Sequence, residues 1–366
     1  MSGKQRILVH SIGSLGDTIV TIPALRVVRR RYGSDAEITL LSDVTQPDIV
    51  KAKDVLEGTG LVDKYLEYKI AGGAKAMLPS VFKLWKMLVG GKFDAVVYLM
   101  TSERSAKAVQ RDELFFKLAG IKKRYGFEPF SDEYLYPRDE RGRPKQVPHE
   151  AVRRGERLEK YGFGKLQHDD LYEAFLIPPD AASEKAISWL NERRQFPDKV
   201  LVGFCPGTKM PSKRWPLDRF EEIGRRLIAD GRFEIVVGGG PNDAADAKTL
   251  IAAWGQGLNA AGEFSVMGSA ALLHQCSFIV SVDSGPMHLA GVGGVPCVSI
   301  FSSIDFPGRF SPLGKGHILL RYDDVDCSAC RNPNCPVKGH PCMTAVTVEQ
   351  VWDAVKKVSG EIGHPL

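Results

Sequence analysis

The stretch ILVHSIGSLGDTIVTIPALRVVRRRYG, residues 7–33, sets the reading of the fold. Ile7, Leu8 and Val9 form an apolar run, Gly13 and Gly16 punctuate the chain, and residues 17–32 have helical spacing. That is the order strand, glycine-bearing turn, helix. Such turns commonly hold phosphate on backbone N–H groups at a helix N-terminus. Here Asp17 stands at the helix start, where its charge would repel phosphate. Pro23 is expected to end or bend this helix.

Outward from this segment the alternation continues. Strands are expected at 37–42 and 93–100, then a helix to Ala119 and a short extended piece at 124–126. Residues 75–90 mix lysines with bulky apolar residues and read as an amphipathic helix, with core packing preferred over membrane contact. Residues 128–170 are polar and charge-rich, with a helix over 149–161. Pro178 and Pro179 break regular structure and mark a domain boundary. Beyond it the pattern restarts, with strands Val200–Cys205, Phe233–Val237, Phe278–Val282 and 295–301. Helix Leu217–Asp230 lies between Pro216 and Gly231, and further helices are expected at 287–294 and 347–358. Buried strands separated by helices predict parallel sheets covered on both faces. The fold class is therefore α/β, with two doubly wound domains at residues 1–178 and 179–346 and a closing helix in 347–366. A chain of 366 residues has the length for two such domains. Two sheets facing across a cleft suit a two-substrate reaction.

Composition narrows the classes. Apolar residues make up 43% and charged residues 25%, as in ordinary globular proteins. No apolar run has the length of a membrane span, and residues 1–9 are too short and polar for a signal peptide, so the expected compartment is the cytoplasm. Forty-nine Lys and Arg against 44 Asp and Glu leave a net charge of +5. That balance suits an anionic substrate or an acidic membrane surface, and the dispersed basic residues form no nucleic-acid motif. Arg104, Lys122, Lys123 and Arg124 would together suit an acidic acceptor, but each taken singly is read as solvated surface. Cys205, Cys276 and Cys297 sit among apolar neighbours as buried thiols. Cys327, Cys330, Cys335 and Cys342 form C-x2-C-x4-C-x6-C, a spacing that can wrap one structural zinc or iron ion, with His340 able to replace one thiolate.

Polar groups cluster at strand ends in the second half. Gly207 and Thr208 follow one strand, Lys213 precedes the next helix, and Asp243 follows a Gly-Gly-Pro turn. Asp283, Ser284, Gly285, Met287 and His288 follow another strand and enter a helix. Free N–H groups, hydroxyls and a lysine there suit a diphosphate, and an acid suits ribose hydroxyls. Singly, each has a blander reading as turn glycine, surface lysine, packing histidine or helix cap.

The string SVDSGPMHLA, residues 281–290, resembles the signature of glycosyltransferase family 9, the ADP-heptose:lipopolysaccharide heptosyltransferases. The resemblance extends to residues 12–25, to the Pro-Gly-Thr and Lys-Arg-Trp-Pro segments, to Gly239–Asp243 and to the cysteine-rich stretch. It implies a GT-B fold of two facing Rossmann-like domains, with acceptor on the first and nucleotide-sugar donor on the second. It implies inversion at the sugar carbon and no metal required for catalysis. Thr208 and Lys213 would contact donor phosphates, and Asp283, Ser284, Gly285 and His288 would line the same pocket, beside Gly207 and Met287. Asp243 stands where the family often has glutamate. Asp17, in the Gly16-Asp17 turn, would be the catalytic base, with Gly13 and Gly16 letting the backbone approach the sugar. The expected donor is ADP-heptose. The expected acceptor is an acidic glycan or glycolipid at the inner face of the cytoplasmic membrane, with peripheral contact there. Competing readings are a protein acceptor of the autotransporter type and a nucleotide-sugar binder without turnover. A dehydrogenase fits poorly, because neither half has a clean G-x-G-x-x-G with an acid about twenty residues on.

Overall fold

A computed structural model describes residues 4–46, 49–70 and 74–366, without the side chains of 74–76. The chain divides into two compact units, Met1–Leu135 with Pro148–Leu171, and Tyr136–Val147 with Tyr172–Leu366.

The first unit holds five strands: β1 (Arg6–His10), β2 (Glu37–Asp43), β3 (Lys64–Tyr68), β4 (Ala95–Tyr98) and β5 (Lys123–Tyr125). Their order is β3-β2-β1-β4-β5, and every pairing is parallel. The second unit holds β6 (Val200–Cys205), β7 (Phe233–Val237), β8 (Leu258–Asn259), β9 (Phe278–Val282), β10 (Cys297–Phe301) and β11 (Ile318–Arg321). Their order is β11-β10-β9-β6-β7-β8, again all parallel. Numbered from its own first strand, each sheet runs outward through its first three strands on one side and onward from the fourth on the other. This is the doubly wound arrangement, whose strand order reverses between β1 and β4 and between β6 and β9. Ligands in such sheets bind at that reversal, outside the carboxyl ends of the strands.

Continuous apolar runs explain the central strands. β7 and β9 are buried at every position, which requires cover on both faces. Phe204, Phe220, Phe233, Phe278 and Val298 anchor this core, and helix Val348–Glu361 closes it with Val351, Val355 and Val358. Thr347 caps that helix by accepting the Gln350 N–H, while the Gln350 side chain accepts the Thr347 N–H. Helix Leu217–Asp230 ends on Gly231 in the left-handed region, φ +88°, as its sequence predicts.

Several expectations need correction. Pro23 does not end its helix, which runs over Leu15–Tyr32 with Val20, Ala24, Val27 and Val28 buried. Packing along this face outweighs one missing backbone donor. The expected strand at 93–100 is confined to Ala95–Tyr98. Arg104 is not a solvated surface residue: its guanidinium pairs with Asp112 at 2.8 Å and donates to the Tyr98 hydroxyl at 3.0 Å. Arg124 likewise donates to the carbonyls of Ile121 and Lys122. Helix Ala74–Gly91 buries Leu84 and Leu88 yet leaves Met77, Leu78, Phe82 and Val89 exposed, so core packing accounts for one face only.

The largest departure is helix Glu150–Glu159. Its segment is polar and charge-rich in sequence, yet Glu150, Arg153, Arg154 and Arg157 are all buried. Ser102 donates to Glu150 through its N–H and its hydroxyl, each at 2.7 Å, and the Arg154 Nε donates to the same carboxylate. Arg157 donates to the Met100 carbonyl at 2.9 Å and stacks over Phe130, and burial lowers its pKa to about 10. Arginine tolerates such sites because its flat, delocalised cation is weakly hydrated.

Candidate functional site

In the first unit the chain leaves β1 at the strand-order reversal and enters helix Leu15–Tyr32 through Ser11–Ser14. Gly13 adopts φ +153°, a backbone conformation L side chains rarely take. A Cβ there would lie 2.2 Å from the Asp17 Cβ, so only glycine lets Asp17 fold back over the turn. Ser14 is the N-cap residue, and Asp17 is the third residue of the helix. The Ser14 N–H and hydroxyl both donate to Asp17 Oδ2, at 2.8 and 2.9 Å. This is the return half of a capping box, favoured further by a negative charge at a helix N-terminus. Oδ1 accepts no hydrogen bond among the described residues. The Asp17 carbonyl accepts from Thr21 Oγ1 at 2.6 Å and from Arg154 Nη1 at 3.2 Å. The buried arginine helix therefore braces the turn that carries the acid. Beside the turn, Ser11, Gly13, Thr18, Ser42, Asp43 and Lys51 help line a recess outside the ends of β1 and β2. Asp17 is not among its lining residues.

Ser14 and Arg154 were not singled out from sequence. A signal for Ser14 is present, since Ser-x-x-Asp has capping-box spacing. None exists for Arg154, whose partner turn is 133 residues or more away.

In the second unit, β6, β7 and β9 each deliver polar groups at their carboxyl ends. Thr208 accepts the Met210 N–H at 3.3 Å, which holds the loop after β6. A 3-10 turn, Pro211–Lys213, then aims Lys213 at Asp283, with Nζ and Oδ2 2.7 Å apart. Both side chains are largely buried, at 20% and 10% exposure, so this pair is shielded from solvent screening. Asp283 follows β9, and Ser284 stands at the N-cap position of helix Gly285–Val292 without a side-chain capping bond, with Gly285 and Pro286 in the first turn. The Ser284 hydroxyl is buried with no hydrogen-bond partner among the described residues. Met287 and His288 are buried one turn into this helix.

Asp243 repeats the device of Asp17. Gly239 has φ +159°, and the Gly240 N–H donates to Asp243 Oδ2 at 2.8 Å. The carboxylate also lies over Gly207, where a Cβ would come within 2.1 Å of Oδ1. Burial raises the Asp243 pKa, partly opposed by the Gly240 hydrogen bond. The fold thus joins Gly207 to Asp243 and Lys213 to Asp283, with Ser284 and His288 on the helix that follows.

Cys205, Cys276 and Cys297 are buried free thiols. Cys327, Cys330, Cys335 and Cys342 line one pocket with His340 and Ser212. Burial pushes the thiols of Cys327 and Cys342 up, and no cysteine is disulfide-bonded. No three of the four sulfurs lie within 4.8 Å of one another.

Two Rossmann-like parallel units in one chain constitute the GT-B class of fold. The glycosyltransferase family 9 structure from Veillonella parvula DSM 2008 superposes with a TM-score of 0.72 at 21% identity, covering 98% of each chain. The Escherichia coli ADP-heptose lps heptosyltransferase II superposes at 0.67 and 19% identity, over 98% of this chain and 99% of that one. Residues 81–340 match the family model for glycosyltransferase family 9 (heptosyltransferase), and the chain belongs to this family. Lipopolysaccharide heptosyltransferase 2 of Salmonella typhimurium is 34% identical over 206 residues, 53% of this chain and 57% of that protein. The match thus spans little more than half of that relative's length. Lipooligosaccharide heptosyltransferase 2 of Campylobacter jejuni is 23% identical over 97% of this chain and 98% of its own.

Proposed function

We propose that the chain is an inverting glycosyltransferase that moves a heptose from ADP-heptose to a lipopolysaccharide-type core glycan, with Asp17 as general base. Family membership and the heptosyltransferase names of its relatives support the reaction class. The observation that carries the mechanism is the Asp17 carboxylate, fixed through one oxygen and open at the other, at a switch point of the first sheet. Oδ1 would take the proton of the acceptor hydroxyl as its oxygen attacks the anomeric carbon. The bond from that carbon to the diphosphate breaks, and ADP leaves with the electron pair. The carboxylate also stabilises positive charge developing on the sugar. On the second unit, Lys213 and the N-terminus of helix Gly285–Val292 would hold the diphosphate, and Asp243 would accept from ribose hydroxyls. The Ser284 hydroxyl, which has no partner among the described residues, is suited to a phosphate oxygen.

A panel of nucleotide sugars offered with a core-glycan acceptor tests the reading. Turnover of ADP-heptose with inversion is expected. Tight donor binding without transfer would favour a binding protein, and turnover only with a polypeptide acceptor would move the acceptor class.

The cysteine pocket is proposed to hold one structural zinc or iron ion. The donor set fits, since four thiolates can complete a tetrahedral shell, with sulfurs drawn closer than they stand here. Such an ion would tie the loop after β11 into the second unit and leave no open position for substrate. Elemental analysis of protein purified without chelator should find about one equivalent per chain. A metal-free preparation with unchanged stability would refute this.

A further inference from the structure

We propose that the helix pair Ala74–Gly91 and Ala106–Leu118 is a docking face for an anionic lipid bilayer. Large apolar side chains stand in solvent on both helices: Leu78 is 71% exposed, Phe82 53%, Leu114 54% and Leu118 65%. The two faces adjoin, because the Trp85 indole N–H donates to the Leu118 carbonyl at 3.2 Å while its ring stacks on Phe82. Isolated exposed apolar residues are ordinary, but this many on adjoining helices is a patch.

Charge identifies the occupant. Residues 74–91 contain Lys75, Lys83 and Lys86 and no acid. On the second helix, Lys107 and Arg111 continue the stripe of Leu114 and Leu118 at helical spacing, and Lys117 flanks it. Lys83, Lys86, Lys107 and Lys117 form no ion pair among the described residues, and the Lys86 ammonium lies 4.6 Å from the Phe82 ring centre. The helix acids have partners: Asp112 is buried against Arg104 and Arg111, and Glu113 pairs with Arg124. An apolar stripe rimmed by lysines that form no ion pair among the described residues, with an indole at its edge, matches a bilayer surface carrying acidic headgroups. A second copy of this chain would set the same cations against each other. No described helix is long and apolar enough to cross a membrane, so the face would lie in the interface rather than span it. The proposal is independent of which sugar or donor the enzyme uses.

The test is co-sedimentation of the full chain with vesicles of phosphatidylethanolamine and phosphatidylglycerol, against phosphatidylcholine alone. Binding to the anionic vesicles that weakens with salt is expected. The double variant Leu78→Glu/Phe82→Glu should lower it at least about tenfold, since both anchors become charged. Lys83→Glu/Lys86→Glu should lower it by more than roughly fivefold for each lysine on anionic vesicles only. These side chains are exposed, so unfolding midpoints should hold, and the second variant serves if the first is unstable. Equal binding to both vesicle types, absence of binding, or insensitivity to both variants overturns the proposal. So does lipid-free self-association that Leu78→Glu/Phe82→Glu abolishes, which would assign the face to a second copy.

Discussion

Asp17 has two separable jobs in this structure, and two substitutions divide them. Asparagine keeps a side-chain oxygen for the Ser14 N–H and hydroxyl, which reach Asp17 at 2.8 and 2.9 Å. What it loses is the charge at the helix N-terminus, worth about 0.3–1 kcal/mol. For a unit of this size that is a fall in Tm of a few degrees at most, on the order of 2–4 °C per kcal/mol. Alanine loses both hydrogen bonds and the packing over Gly13, and capping losses of this type cost about 1 kcal/mol, up to roughly 2. Stability should therefore rank wild type, Asp17→Asn, Asp17→Ala. Turnover should not follow that ranking. If the carboxylate takes the acceptor proton, both variants lose it equally, and kcat should drop about 10²–10⁴-fold in each. Donor affinity, measured by titration calorimetry with ADP, should stay at the wild-type value, because the proposed donor groups belong to the other unit. The paired readout is a thermal melt and a steady-state transfer assay at saturating donor. An Asp17→Asn variant that melts near wild type and transfers at the wild-type rate would refute the reasoning and leave Asp17 as a cap alone.

Other outcomes follow from the same structure. Lys213→Met should weaken ADP binding by about 10- to 100-fold, the range of one charge-assisted hydrogen bond, with little effect on the first unit's melt. Burial among Tyr68, Tyr98 and Phe116 lowers the His10 pKa from 6.5 to about 4, so the folded state holds this ring neutral. The unfolded chain takes up that proton first as pH falls. Stability is thus full above pH 6.5 and declines through the window down to about 4, by about 3 kcal/mol, and urea titrations of His10→Gln should lack that slope. Glu150→Gln removes the buried carboxylate that pairs with Arg154 and attracts the nearby Arg157, and should destabilise by about 3 kcal/mol in urea unfolding.

What could be read in advance depended on burial. β6, β7 and β9 begin and end where the sequence places them, because strands buried on both faces are continuous apolar runs ended by glycine, proline or acid. β3, β8 and β11 went unread. Each is an edge strand of two to five residues, too short and, outside Leu258, too incompletely buried to show the continuous apolar run of a central strand. The buried arginines were illegible for a related reason. Nothing in the run EAVRRGERLE tells that Ser102, Met100 and Asp17 wait with acceptors and donors for its charges. At the site, residue types at strand ends were readable, but the pairing of Lys213 with Asp283 and the seating of Asp243 on Gly207 are products of the folded loops.

The two turns built from a glycine and an acid four residues on also limit the routes by which this chain can drift. At Gly207, whose backbone is ordinary, the obstacle to a side chain is the Asp243 carboxylate, so shortening residue 243 opens position 207 to change. At Gly13 and Gly239 removing the acid is not enough, since φ of +153° and +159° resists any other residue. Substitutions at 207 become tolerable only after one at 243, while those at 13 and 239 stay closed in either order. A saturation library across these positions should therefore show one conditional pair and two fixed sites, a pattern of epistasis written by backbone angle rather than by chemistry.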